Sequence, residues 1–198
     1  MAITLLVAIL GLVGVLVSAV ISQRASRVQH AREVLFEPAR EFARDAYSAL
    51  AKMRGITPPP LRPGNRLPHR NEDLLADHEV RDKRVAECEE AINRVRTSRA
   101  DVRLVFLPHS RAAEFTRGVL AAERDALETA VRFYRTFDLL PEAERDSWRL
   151  NDGAALQSQY IQHRRVAYDQ LDRFIDDVAL RVKKPTWNPR KVPGVTSG

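Results

Sequence analysis

The chain has 198 residues, 44% of them hydrophobic and 29% charged, a balance that supports a packed core and excludes broad disorder. A single cysteine, Cys88, excludes an intramolecular disulfide. The net charge of +6 turns attention to where the basic residues lie.

From Ala2 to Ser22 no residue is charged. At about 1.5 Å per residue this run reaches roughly 30 Å as a helix, the hydrocarbon thickness of a bilayer. The segment 1–22 is therefore predicted to be a single transmembrane helix. Val17-Ser18-Ala19 could serve as a signal-peptide cleavage site. Against that reading, no Lys or Arg precedes the apolar run, and the run is longer than a usual signal core. Arg24, Arg27 and Arg32 follow the run, so the positive-inside rule predicts an external N-terminus and a cytoplasmic domain. Gly14, Ser18 and Ser22 recur every four residues, a small-residue face expected to pack spans into a homo-oligomer.

Gln23 to Arg54 is predicted to continue as a helix. Leu35, Ala39, Phe42, Ala46, Ala49, Leu50 and Met53 form its apolar stripe. Pro38 is expected to kink it or to begin a second helix, and Gly55 to end it. Glu33, Glu37, Glu41 and Asp45 form an acidic row that Arg40 and Arg44 relieve.

Residues 55–70 hold five prolines and read as a stiff basic loop. Within it Pro58, Pro59, Pro60, Arg62 and Pro63 form a polyproline segment that a partner's aromatic groove could take. Asn71 is expected to cap a helix running to about Phe106. Its stripe is Val85, Cys88, Ile92, Val95, Val102 and Phe106, extended upstream by His78. Pro108 breaks it, and Ser110 caps a third helix ending near Asp138. The third helix has the broadest apolar face, with Phe115, Val119, Ala122, Ala126, Ala130, Phe133 and Phe137 flanked by Leu120, Leu127, Val131 and Tyr134.

Pro141 suits the first turn of a short helix ending near Leu150, with Trp148 closing that end of the core. Asn151-Asp152-Gly153 reads as a turn. A last helix is predicted from Ala154 to about Val182, with Leu156, Tyr160, Ile161, Ala167, Tyr168, Leu171, Phe174, Ile175, Val178 and Val182 on its stripe. Residues 183–198 form a basic tail expected to lack regular structure. No alternating strand pattern competes. The predicted fold is all-α, an N-terminal transmembrane helix followed by an antiparallel four-helix bundle with a short extra helix over 23–182.

The charge is uneven. From Gln23 to Arg70 ten basic residues stand against four acids, from Asn71 to Leu140 twelve against fourteen, and beyond Asp177 there is no acid. In an antiparallel bundle the 104–107 turn and the tail return towards the lipid. Arg24, Arg27, Phe106, Leu107, Lys183, Lys184, Trp187, Arg190 and Lys191 are the candidate membrane-interface residues. For Phe106 and Leu107 the alternative is that they fold back into the core.

None of the five histidines follows a Glu in an E-x-x-H pattern. Cysteine pairs, H-E-x-x-H, G-x-S-x-G and the phosphate-loop motif are likewise missing from the sequence. No catalytic residue, cofactor or metal is assigned on that basis. The expected function is a membrane-tethered helical scaffold or interaction module with membrane lipids and an unidentified protein as partners. The alternative is an anionic-lipid surface binder. Nucleic-acid binding is not expected, because the basic segments lack interleaved aromatics. An enzyme would need a convergent polar pocket in the folded chain.

Overall fold

The computed structural model describes residues 2–56, Leu75 and 77–183. The side chains of 2–17, 20, 24, 27, 28, 30–32, 35, 182 and 183 fall outside that description. Five helices are described: α1 (Ala2–Met53), α2 (His78–Val105), α3 (Arg111–Leu139), α4 (Glu142–Leu150) and α5 (Asp152–Lys183). The described residues contain no strand, so the protein is all-α.

The first helix is the longest, 52 residues without a break. It passes through Pro38 rather than ending there, which corrects the expected second start. Proline cannot donate to the carbonyl one turn back. That carbonyl belongs to Val34, whose exposed position leaves water to satisfy it. Every described side chain from Ser18 to Glu37 is exposed, and the first buried one is Ala39. Packing therefore holds only the last four turns or so of α1, through Ala39, Phe42, Ala46, Ala49, Leu50 and Met53. Among the described residues no helix is long and apolar enough to cross a membrane. The expected span falls mainly on residues 1–17, whose side chains lie outside the description although their backbone from Ala2 is helical.

The second helix starts later than expected. Asp77, not Asn71, caps it: the residue is extended and its side chain accepts the Val80 N–H at 3.1 Å. Asn71 itself lies outside the described residues. His78 is exposed and does not extend the apolar stripe. Ser110 caps α3 as expected, accepting from Ala113 N–H. The fifth helix begins at Asp152, so Asp152 and Gly153 belong to its first turn and only Asn151 forms the turn. Gly153 is buried against Trp148, where a Cβ would stand 3.1 Å from the indole ring. Ile161 is 40% exposed and drops out of the predicted stripe of α5.

Cross-helix contacts define the register. Arg84 on α2 donates to the Gly55 carbonyl at 3.0 Å, placing the start of α2 beside the end of α1. Phe42 and Phe174 meet edge to face at 5.0 Å, and the Tyr47 hydroxyl donates to Asp172 at 3.2 Å, so α5 runs antiparallel to α1. Arg81 and Asp138 join the start of α2 to the end of α3 at 2.7 Å. Gly118 faces Gln170, and Phe133 lies with Leu156, which makes α3 and α5 antiparallel. The four long helices bury one continuous core among them. A smaller aromatic cluster closes one end, with Trp148 5.0 Å from Phe133 and 6.2 Å from Phe137. Each large apolar side chain buried in this way stabilises by about 1.5–3 kcal/mol.

Candidate functional site

Two of the anticipated site groups lie outside the described residues. These are the polyproline loop at Pro58, Pro59, Pro60, Arg62 and Pro63, and the tail residues Lys184, Trp187, Arg190 and Lys191. Arg24, Arg27 and Lys183 lie on described helix, but their side chains do not. The same holds for Gly14, while Ser18 and Ser22 are exposed. Below them Ser22, Ala25, Ser26, Gln29 and Glu33 line a shallow polar furrow along the unpacked part of α1.

The turn between α2 and α3 divides the two residues that were considered together. Phe106 is buried, with the Arg181 guanidinium 5.6 Å above its ring. Leu107 is 70% exposed and Leu104 85%. Phe106 is thus removed from the membrane-interface set, because its backbone turns out of α2 at an extended residue and aims the ring inward. The Arg84–Gly55 contact also sets the height of this turn. Followed back along α1, the turn stands level with residues 32–35. From Ser22 to that level α1 rises about 15–20 Å.

A groove lies between α2 and α3, with a volume of about 620 Å³. Ile92, Leu127, Val131 and Leu139 form its apolar floor. Its rim is charged, with Arg124, Arg132 and Arg135 against Glu89 and Glu128. Leu139, at one end of the floor, is 86% exposed. The groove exists because α2 packs mainly on α1, and α3 mainly on α5, leaving the α2–α3 seam the thinner one.

At the other end of that seam lies a cluster that the sequence did not single out. The Arg81–Asp138 pair sets α2 against α3 so that Arg99 stands opposite Leu120, between the levels of Arg117 and Arg124. Arg99 Nε is buried without a hydrogen-bond partner. Burial, and then the charges of Arg103, Arg117 and Arg124, hold Arg99 below the usual arginine range. Among the described residues none of these four guanidinium groups takes part in an ion pair.

Glu123 is the second unanticipated group. It sits on α3 among Ala122, Ala126 and Leu127, fully buried, and neither carboxylate oxygen has a hydrogen-bond partner. Burial alone pushes it up to about 8. In the sequence it occupies one position of an otherwise apolar face, and that misplaced acid is the only signal that could have found it.

Cys88 lies on the core stripe as expected, and burial pushes its thiol up to about 11. Among the described residues no group of three His, Cys, Asp or Glu is placed to hold a metal ion.

Comparison with known proteins adds no assignment, since no protein family, curated protein or solved structure matches this chain.

Proposed function

We propose that the protein is a membrane-tethered helical interaction module, in which an antiparallel four-helix bundle stands clear of the bilayer on the exposed part of α1. The observation that carries this reading is the continuity of α1. One helix runs from Ala2, through the uncharged residues to Ser22, and into the core at Ala39. A span joined without a break to a packed domain ties the height and tilt of that domain to the membrane. The exposed residues from Gln23 to Glu37 then act as a stalk of roughly 20 Å. Its serine-rich furrow continues the small face of Ser18 and Ser22, which favours pairing of spans. The groove between α2 and α3 is the surface offered to a partner.

Binding to lipid through the 104–107 turn is the weaker reading. Phe106 is buried, and an upright stalk holds Leu107 away from the headgroups. Arg24 and Arg27 remain suited to the interface because they directly follow the uncharged run.

The test compares the full chain with a variant lacking residues 1–22, both carrying a C-terminal reporter. The full chain is expected to stay in the membrane pellet after alkaline carbonate extraction and to report the cytoplasmic side. The shortened chain is expected in the supernatant. Extraction of the full chain by carbonate, or a reporter on the outer face, overturns the proposal.

A further inference from the structure

We infer that Arg99, Arg103, Arg117 and Arg124 form a binding site for a phosphate-bearing ligand on the α2–α3 seam. Arg99 and Arg103 are one turn apart on α2, and Arg117 and Arg124 two turns apart on α3. The antiparallel register fixed by Arg81 and Asp138 brings the two rows together. Charges of one sign repel, and a folded chain ordinarily relieves such a cluster with carboxylates. Here the available acids do not do so. Glu128 and Glu89 line the groove on the far side of Arg124, and Glu123 points into the core. Asp101 on α2 and Glu114, Asp125 and Glu128 on α3 are near in sequence, yet none of them forms an ion pair with these arginines.

The second observation is the Nε of Arg99. A buried guanidinium N–H without an acceptor is expensive, and a water, an ion or a ligand can supply the missing acceptor. Planar guanidinium forks pair with phosphate through two parallel hydrogen bonds, which a lysine cannot copy. Arg99, with Arg103, Arg117 and Arg124 near enough to act on it, offers concentrated positive charge to a group of two or more negative charges. The adjoining groove, with its apolar floor of Ile92, Leu127 and Val131, leaves room for the rest of the ligand beyond Arg124.

The phosphate can come from a soluble molecule or from a lipid headgroup. Along α2, Arg99 and Arg103 lie farther from the uncharged run than the 104–107 turn does, so an upright stalk favours the soluble source. The site does not rest on the membrane-tether reading. A chain released by carbonate would still bind phosphate, and a tethered chain that ignored phosphate would leave the tether intact.

The full chain in neutral phosphatidylcholine nanodiscs is titrated with inorganic pyrophosphate at constant ionic strength while thermal unfolding is followed. A concentration-dependent rise in Tm, larger than that from sulfate or chloride, is expected. Arg99→Gln and Arg117→Gln are each expected to weaken the half-effect concentration by about tenfold or more. Arg173→Gln, in the exposed pair with Asp169 on α5, is expected to leave it unchanged.

Without ligand, Arg99→Gln is expected to leave Tm equal or higher, because it removes repulsion. A residue that only packs would lower it. Nanodiscs containing one-fifth phosphatidylglycerol form the second arm. A response confined to them and lost in Arg99→Gln also supports the site, with lipid as the phosphate source. Absence of any specific response in both arms, or a response equal in Arg99→Gln, Arg117→Gln and the parent, overturns the inference.

Discussion

The hydroxyl of Tyr160 on α5 donates to the main-chain carbonyl of Met53, the last residue of α1. The final carbonyls of a helix have no partner within it; that of Met53 accepts from the Ile56 N–H at 3.1 Å in the following turn, and α5 supplies a second donor from across the core. Tyr134 does the same from α3 for Ile56, in the turn that follows. Burial raises both phenols well above the usual tyrosine range, so they remain donors at any physiological pH. The end of the long helix is thereby held by two other helices.

Tyr160→Phe keeps the ring and removes the donor. The Met53 carbonyl keeps only the Ile56 N–H as donor, and a loss of about 1 kcal/mol in unfolding free energy is expected by urea titration. Tyr134→Phe is expected to act similarly at Ile56. Wild-type stability in either variant would show that water reaches those carbonyls.

Glu123 makes stability depend on pH in an unusual direction. Its folded value, about 8, lies above that of an unfolded glutamate near 4.3. The folded state therefore holds a proton that the unfolded state releases across this interval. Its favourable contribution is complete below the unfolded value and is lost as pH rises through the folded one. The slope approaches about 1.4 kcal/mol per pH unit at most. Unfolding measured between pH 5 and 8 should show the parent weakening with pH, and Glu123→Gln weakening much less. Glu123→Leu is expected to be more stable than the parent at pH 8. A parallel pH profile for the parent and Glu123→Gln would remove Glu123 as the cause.

Arg81 is buried to 5% exposure, paired through two nitrogens with Asp138 at 2.7 and 3.1 Å, and its guanidinium lies 4.8 Å from the centre of the Tyr134 ring. Asp138→Asn leaves that cation only the exposed carboxylate of Asp82, 4.0 Å from its Nε. The expected loss is about 2 kcal/mol, below that of a fully buried pair because the Asp138 side chain is 30% exposed. Arg81→Met, which removes the charge and keeps the bulk, is expected to be milder. The reverse order in denaturant titration would show that the pair stabilises by packing rather than by charge.

Cys88 offers an inexpensive probe of opening. With its thiol at about 11, only about one molecule in a thousand carries thiolate at pH 8, and the sulfur is buried as well. A disulfide reagent is expected to modify it only as fast as the core opens, and immediately in urea. Rapid labelling of the native protein would contradict the packing around Ile92 and Val95.

Helix periodicity was legible along most of the chain. The stripes of α1, α2 and α3 recur in the buried core almost residue for residue, since the spacing of apolar side chains is a local property of the chain. Ser110 as a cap and Trp148 as the closing ring were legible for the same reason. Exceptions arose where a local signal met a neighbouring element. Gly153 reads as a turn residue, yet it sits in the first turn of α5, where a Cβ would press on the Trp148 ring at 3.1 Å. Phe106 and Leu107, equal in apolarity, differ in burial because the chain has left α2 at Val105 and the extended Phe106 turns its ring inward.

The uncharged opening run, the helix-rich character and the apolar faces were thus decided by residue order alone. The burial of Arg81 and Glu123, and the gathering of Arg99 and Arg103 with Arg117 and Arg124, were decided only by how the helices pair. A charged residue's surroundings depend on the register between elements far apart in the chain, and no local pattern encodes that register. The middle of the chain, with twelve basic residues against fourteen acids, looks neutral when counted, yet folding sorts four of those arginines onto one seam without a carboxylate partner.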